Sequence, residues 1–265
     1  MRPTTIGIIF AAVAGLLLCG CPAPEVIPTT ARMINHTNFD PTSVSDADIL
    51  AAAALDVYFE HASVGANVCS GIDALGGRYS SDRASWDSTN VPSWYDTHNG
   101  LGDNARGNPG ASLKISGFTS SMNASGGLLP SKLDVAMYKF CYIDTPADGT
   151  TLFNEAKAAM ESLQVSYPGV AFVWWTMPIE QGSAYTERQE YNGAVRAYCS
   201  ANDQWLLDIA DLESHDDSGT LTHDGSNREL LYSGYTTDGG HLNAAGSQKL
   251  AKAYWKLLAE IAKDQ

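Results

Sequence analysis

"LDVAMYKFCYI" (residues 133–143), "TLFNEAKAAMESLQVSY" (151–167) and "VAFVWWTMP" (170–178) follow one another with little between them. The outer two are near-continuous apolar runs, as expected of strands covered on both faces. The middle one carries apolar residues at helical spacing and is stopped by Pro168-Gly169. Strand, helix, strand is the unit that joins parallel neighbours in a sheet. The alternation extends outward in both directions. "LDVYFEH" (55–61) is a strand candidate, and "SVGANVCSGIDAL" (63–75) follows it as a helix. "SLKISGFTSSM" (112–122) reads as helical, and "TERQEYNGAVRAYCSAND" (186–203) as a helix ahead of the strand "WLLDIADL" (205–212). "NAAGSQKLAKAYWKLLAEIAK" (243–263) closes the chain as a helix with Asn243 as its N-cap. The expected fold class is therefore α/β, a three-layer α/β/α sandwich on a mostly parallel sheet. Ligands of such sheets bind outside the carboxyl ends of the strands.

The chain has 265 residues, 44% of them hydrophobic and 17% charged, which suits one medium-sized domain with a full core. Its net charge of −14 disfavours nucleic acid, whose phosphates need a cationic footprint. Residues 77–111 are irregular, and their aromatics Trp86, Trp94 and Tyr95 either pack that loop down or offer a platform to sugar rings.

The N-terminus reads as a targeting segment. Arg2 precedes the apolar run "IGIIFAAVAGLLLC", which is shorter than a comfortable membrane span of about 20 residues. The run ends in "LCGC" (18–21), which resembles a bacterial lipobox with Cys21 as the lipidated residue. The expected organisation is a lipoprotein signal over 1–20, a tether over 21–46 and a catalytic-type domain over 47–265. The expected location is the cell envelope, exported and held to the membrane by lipid alone. Cys69, Cys141 and Cys199 remain, allowing at most one intramolecular disulfide among them, and read mainly as small buried residues.

Two stretches follow strands and carry chemistry. Ser63, in "HASVGANV" (61–68), comes directly after a strand and opens a helix. Asp238 and His241 sit three residues apart in "YTTDGGHLNAAG" (235–246), just ahead of the last helix. A serine hydroxyl needs a base to become a nucleophile, and an imidazole needs an acid to fix its tautomer. Each residue also has a plainer role: Ser63 as an N-cap, Asp238 as a turn former, His241 as a turn histidine. Gathered at one sheet edge they point instead to Ser63 as nucleophile, His241 as base and Asp238 as its orienting acid. Near them, His61 is expected to bond within the core edge, and Lys139 to pair with an acid. "LESHDDSGTLTHDG" (212–225), with His215 and His223, fits neither a calcium loop nor a zinc signature and reads as a solvated loop. No metal or other cofactor is expected.

"DGGHLN" (238–243) and "HASVGANV" resemble the last and first sequence blocks of the SGNH (GDSL-type) hydrolase superfamily, and the order Ser, Asp, His agrees. The resemblance spans roughly residues 50–262. It implies a flavodoxin-like sheet and hydrolysis of carboxylic esters, with carbohydrate deacylation among the activities. The usual Gly-Asp-Ser is here His61-Ala62-Ser63, and the usual Gly-x-Asn-Asp block has no match in "YKFCYIDT" (138–145). An oxyanion hole would then draw on the Ser63 N–H and on Gly107 and Asn108 of "RGNPGAS" (106–112). The competing expectation is an inactive surface lipoprotein that binds glycans on the same fold.

Overall fold

The computed structural model describes residues 32–40, 42–76, 96–98, 101–105, 107–108, 110–124 and 129–265. The signal segment, Cys21, Trp86, Trp94 and Tyr95 lie outside the described residues. No helix among the described residues is long and apolar enough to cross a membrane.

In chain order the elements are β1 (Met33–Ile34), α1 (Asp46–Ala53), β2 (Val57–His61), α2 (Val64–Leu75), β3 (Asp96–His98), β4 (Leu101–Ala105) and α3 (Ala111–Asn123). There follow β5 (Val135–Tyr138), α4 (Gly149–Ser166), β6 (Ala171–Trp175), α5 (Thr186–Ala201), β7 (Trp205–Leu207), α6 (Ile209–Ser214) and α7 (Ala244–Asp264). The strands form one sheet in the order β1-β7-β6-β5-β2-β4-β3. Every pairing is parallel except β3 with β4. This is the mostly parallel, flavodoxin-like sandwich expected from the sequence.

Alternation along the strands builds the two outer layers. Val57, Phe59, Val135, Met137, Val173, Trp175 and Leu207 face one side, where they meet the buried residues of α1, α2 and α7. Tyr58, Ala136, Tyr138, Phe172, Trp174 and Leu206 face the other, against α3, α4 and α5. Successive side chains of a strand point to opposite faces, so a strand buried twice reads as an unbroken apolar run. The long α7 covers its face with Leu250, Tyr254, Trp255, Leu257, Leu258 and Ile261, all at most 1% exposed. Each such side chain contributes about 1.5–3 kcal/mol by leaving water.

Three boundaries differ from expectation, each for a tertiary reason. The run 133–143 stays in the ladder only to Tyr138, after which the chain turns through a short 3-10 segment at Tyr142–Asp144. The run 205–212 splits at Asp208, whose carboxylate accepts the Asp211 N–H and starts α6. The tether expected over 21–46 runs into the fold, since Met33 and Ile34 pair with β7 and are 0% and 1% exposed. Ser45 and Asp48 then form a reciprocal capping box on α1. The folded domain thus begins before residue 47.

Candidate active site

β2 lies between β5 and β4, and its carboxyl end is where Ser63 emerges. Ser63 has φ 53° and ψ −112°, a left-handed conformation that costs a non-glycine residue about 1–3 kcal/mol. Its hydroxyl makes no capping bond to α2, so the N-cap role for the side chain is set aside. The turn is tight: Gly65 N–H donates to the Ala62 carbonyl, and Ala66 N–H to that of Ser63. Gly65 rides directly over the strand end, where an added Cβ would lie 2.4 Å from the Cβ of His61. A sharp strand-to-helix turn of this kind thrusts its serine hydroxyl out over the sheet edge.

The partner loop is built around Asp238. One carboxylate oxygen accepts the backbone N–H groups of Gly240 (2.9 Å) and His241 (2.7 Å). The other lies 2.8 Å from Nδ1 of His241. Those three contacts, the Gly240 N–H first, hold the Asp238 carboxyl well below the usual carboxylate range. It therefore stays ionised where most carboxylates protonate. With Nδ1–H committed to Asp238, the lone pair of Nε2 is the one presented to Ser63. Ser63 Oγ sits 2.7 Å from that nitrogen. The structure thus brings Ser63, His241 and Asp238 into one hydrogen-bonded chain.

Several neighbours fix the loop. Gln181 N–H donates to the Gly239 carbonyl, and Leu242 N–H to Oδ1 of Asn67 on α2. Asn243 accepts from Ala245 and Gly246, capping α7 as the sequence suggested. The Tyr142 ring meets His241 edge-on at 5.6 Å and leaves no room for a side chain at Gly240. Burial raises the Tyr142 hydroxyl pKa, as do the negative charges of Asp238 and Glu180. Arg188, buried beneath, donates to the Tyr142 carbonyl at 3.0 Å.

Gly107 and Asn108 lie just past β4, which runs parallel to β2 with His61 opposite Ala105. Both are exposed at the same sheet edge as Ser63, and Gly107 has φ 75°. His61 is buried, with Nε2 3.5 Å from the Cys69 sulfur, a contact within the core edge. Lys139 departs from expectation. It is 2% exposed, yet its ammonium bonds the Phe140 carbonyl at 2.8 Å and lies 3.6 Å from the Cys141 sulfur, with no acid in contact among the described residues. Burial lowers its pKa. Cys69, Cys141 and Cys199 are all buried.

The acidic stretch 212–225 also needs correction. Leu212, Glu213, Ser214 and His215 are buried, and the exposed residues are confined to 217–220, His223 and Gly225. The turn at Asp211–His215 packs on His36, whose ring stacks on that of His215 at 3.5 Å and 10°. His36, Asp211 and His215 are, among the described residues, the one group of metal-ligand type, within 4.8 Å of one another. Their geometry does not favour an ion. Nδ1 of His36 is 2.8 Å from the Asp211 carboxylate, and Nδ1 of His215 is 2.8 Å from the Asp211 carbonyl. The planes of two rings stacked 3.5 Å apart and inclined by 10° meet only well away from both, so no nearby ion lies in the plane of each, where imidazole lone pairs point.

No family model matches the sequence, and no curated protein matches it. Solved structures do. A candidate acylhydrolase from Bacteroides fragilis superposes with a TM-score of 0.51 at 13% identity, over 77% of this chain and 86% of its own. A carbohydrate esterase family 3 protein from Talaromyces cellulolyticus gives 0.51 at 14% identity, over 80% and 99%. An acetyl esterase, a serine-to-alanine variant crystallised with acetate, gives 0.50 at 14%, over 79% and 99%. The chain thus shares its flavodoxin-like fold with solved structures of a candidate acylhydrolase and two esterases.

Proposed function

We propose that this chain is an exported, lipid-anchored serine esterase that hydrolyses carboxylic esters through Ser63, His241 and Asp238. The observation that carries the reading is the continuous relay from Ser63 Oγ to His241 Nε2 at 2.7 Å and from Nδ1 to Asp238 at 2.8 Å. In this reading Ser63 attacks the ester carbonyl while His241 takes its proton. Asp238 stabilises the imidazolium that forms. Donors at the Ser63 N–H, Gly107 and Asn108 receive the oxyanion. His241 then returns the proton to the leaving alcohol. Water, activated by the same imidazole, frees the acyl group and restores the serine. The side chains of His241 and Asp238 are 45% and 55% exposed, so the bond to be cut is reached from solvent.

The similar folds of an acetyl esterase and a carbohydrate esterase support acylated carbohydrate as the substrate class. Export and the anchor at Cys21 rest on the N-terminal sequence. Reaction with a fluorophosphonate tests the chemistry. Labelling of the wild type that disappears in Ser63→Ala, with release of acetate from acetylated sugars, is the expected result. Folded, unlabelled wild-type protein that still binds glycans would replace the esterase by the binding lipoprotein. A Cys21→Ser variant is expected to leave the membrane fraction.

A further inference from the structure

We infer that Lys114 is a positioning residue for this chemistry, orienting the Asn108 carboxamide so that its NH2 group faces the reacting carbonyl. The inference rests on the esterase reading above and deepens it.

Lys114 stands in the first turn of α3, on the stripe that buries Ile115, Phe118 and Met122. A lysine on such a stripe is 4% exposed only because its ammonium is matched. One partner is the carboxylate of Asp144, itself 7% exposed. The other is Oδ1 of Asn108, at 2.8 Å. An ammonium has hydrogens and no lone pair, so only the oxygen of an amide can face it. The amide is planar, which puts Nδ2 and its two hydrogens on the side away from Lys114. Asn108 is exposed at the edge where Ser63 emerges, and that is the side on which those hydrogens can be spent.

The same pair ties down the rest of the edge. Asp144 also accepts the Cys141 N–H at 2.7 Å, and the Cys141 thiol lies 3.3 Å from the Ala62 carbonyl, one residue before Ser63. Lys114 and Gly107 line, with Glu60, His61, Tyr138 and Lys139, a small cavity of about 10 Å³ at the end of β2. Lys114 is thus the joint between the loop after β4, the loop after β5 and the end of β2. A donor aimed in advance at the developing oxyanion acts on the transition state and not on ground-state binding. The lysine would therefore influence turnover through Asn108, without touching substrate.

A double-mutant cycle on the full chain tests this, read as kcat and KM on an acetylated sugar. Asn108→Ala is expected to lower kcat about 100-fold, and Lys114→Met to lower it by a similar factor, each with KM within about twofold. The double variant is expected to be no slower than the worse single one, because both remove the same donor. Lys114→Arg should restore most of the loss. Asn108→Asp, which keeps the acceptor for Lys114 and loses the amide hydrogens, should be as slow as Asn108→Ala. If Lys114→Met leaves Asp144 so exposed to imbalance that it does not fold, Lys114→Met with Asp144→Asn removes both charges and enters the same cycle. Losses that multiply, or a Lys114 variant that turns over at the wild-type rate, would overturn the assignment. Fluorophosphonate labelling of Ser63 separates this from the reading beneath it. A labelled serine with multiplying losses removes the lysine role alone, whereas an unlabelled wild type removes both.

Discussion

Gly65→Ala is the substitution by which the strand-to-helix turn can be judged. An alanine Cβ at this position would stand 2.4 Å from Cβ, 2.8 Å from Cγ and 3.0 Å from Nδ1 of His61. Ordinary carbon contacts begin near 3.5–4.0 Å, so the helix start or the His61 side chain must retreat by about 1 Å. His61 has little room to do so. It is 5% exposed, held against the Phe59 ring at 4.9 Å and against the Cys69 sulfur. Overpacking a closed core costs about 1–3 kcal/mol. The helix start is also the platform for Ser63, whose φ of 53° persists only while its surroundings over-determine it. A misplacement near 1 Å in a reacting group costs about a hundredfold in rate.

The same substitution elsewhere in the chain supplies the control. Gly193 lies inside α5 with nothing within 4 Å of an added Cβ. There the gain in helix propensity is unopposed, and Gly193→Ala is expected to stabilise the protein by about 0.5–1 kcal/mol. Urea unfolding followed by tryptophan fluorescence reads both variants, and the rate of fluorophosphonate labelling reads the serine. Gly65→Ala should unfold earlier and label about a hundredfold more slowly; Gly193→Ala should unfold later and label at the wild-type rate. A Gly65→Ala protein with wild-type stability and labelling would refute the argument that this close approach positions Ser63.

Asp238→Asn should lower turnover by about 10⁴-fold; a variant slowed less than tenfold would remove Asp238 from the relay. Glu213 is wholly buried and its carboxyl is pushed up to about 8 by burial. The folded state therefore binds the extra proton, so this group's contribution is full below the ordinary value of 4.5 and is lost as pH rises to about 8. Melting temperatures from pH 5 to 9 should fall more steeply for the wild type than for Glu213→Gln, the slope left in the variant coming from Glu229 at about 7; equal slopes would contradict the assignment. Arg196 donates to Asp208 at 2.6 and 2.8 Å and to Glu229 at 2.7 Å in the core. Arg196→Met leaves those carboxylates unpaired and should cost about 3–5 kcal/mol in urea unfolding, so a loss below 1 kcal/mol would show that they neutralise each other by sharing a proton.

What could be read from the sequence follows from the range of the interactions involved. The strands were legible because β2, β5, β6 and β7 are buried on both faces, which forces apolar runs. Their ends were not, because the ladder stops where a neighbour stops. Nothing within "YKFCYIDT" itself announces that Tyr138 is the last residue facing Glu60. Asp238 and His241 were legible because their contact is local, spanning three residues. β1 was missed since two residues leave no periodicity, and its burial depends on β7 some 170 positions away. Lys114 and Asp144 were missed for the same reason, being 30 residues apart. A signal did exist: a lysine on the apolar stripe of a helix is a charge that must find a partner. Likewise Gly65, two residues past the serine, marks a backbone that approaches another closely.

The departures from the usual sequence blocks converge on one physical solution. The resemblance leads one to expect an asparagine after the strand beside β2, and this chain has there a loop whose own polar group, Asp144, points inward. Asp144 accepts the Cys141 N–H, which commits that carboxylate to holding the loop. Its charge then requires a buried cation, which Lys114 supplies, and the cation in turn has hydrogens left for Asn108. In the proposed reading, the donor missing from one strand end is replaced by Asn108, held on the other side of β2. On this argument the two changes are coupled. Introducing an asparagine at Cys141 while Asp144 still holds that backbone should not restore turnover to an Asn108→Ala enzyme, because the new amide would stand on a segment already aimed elsewhere.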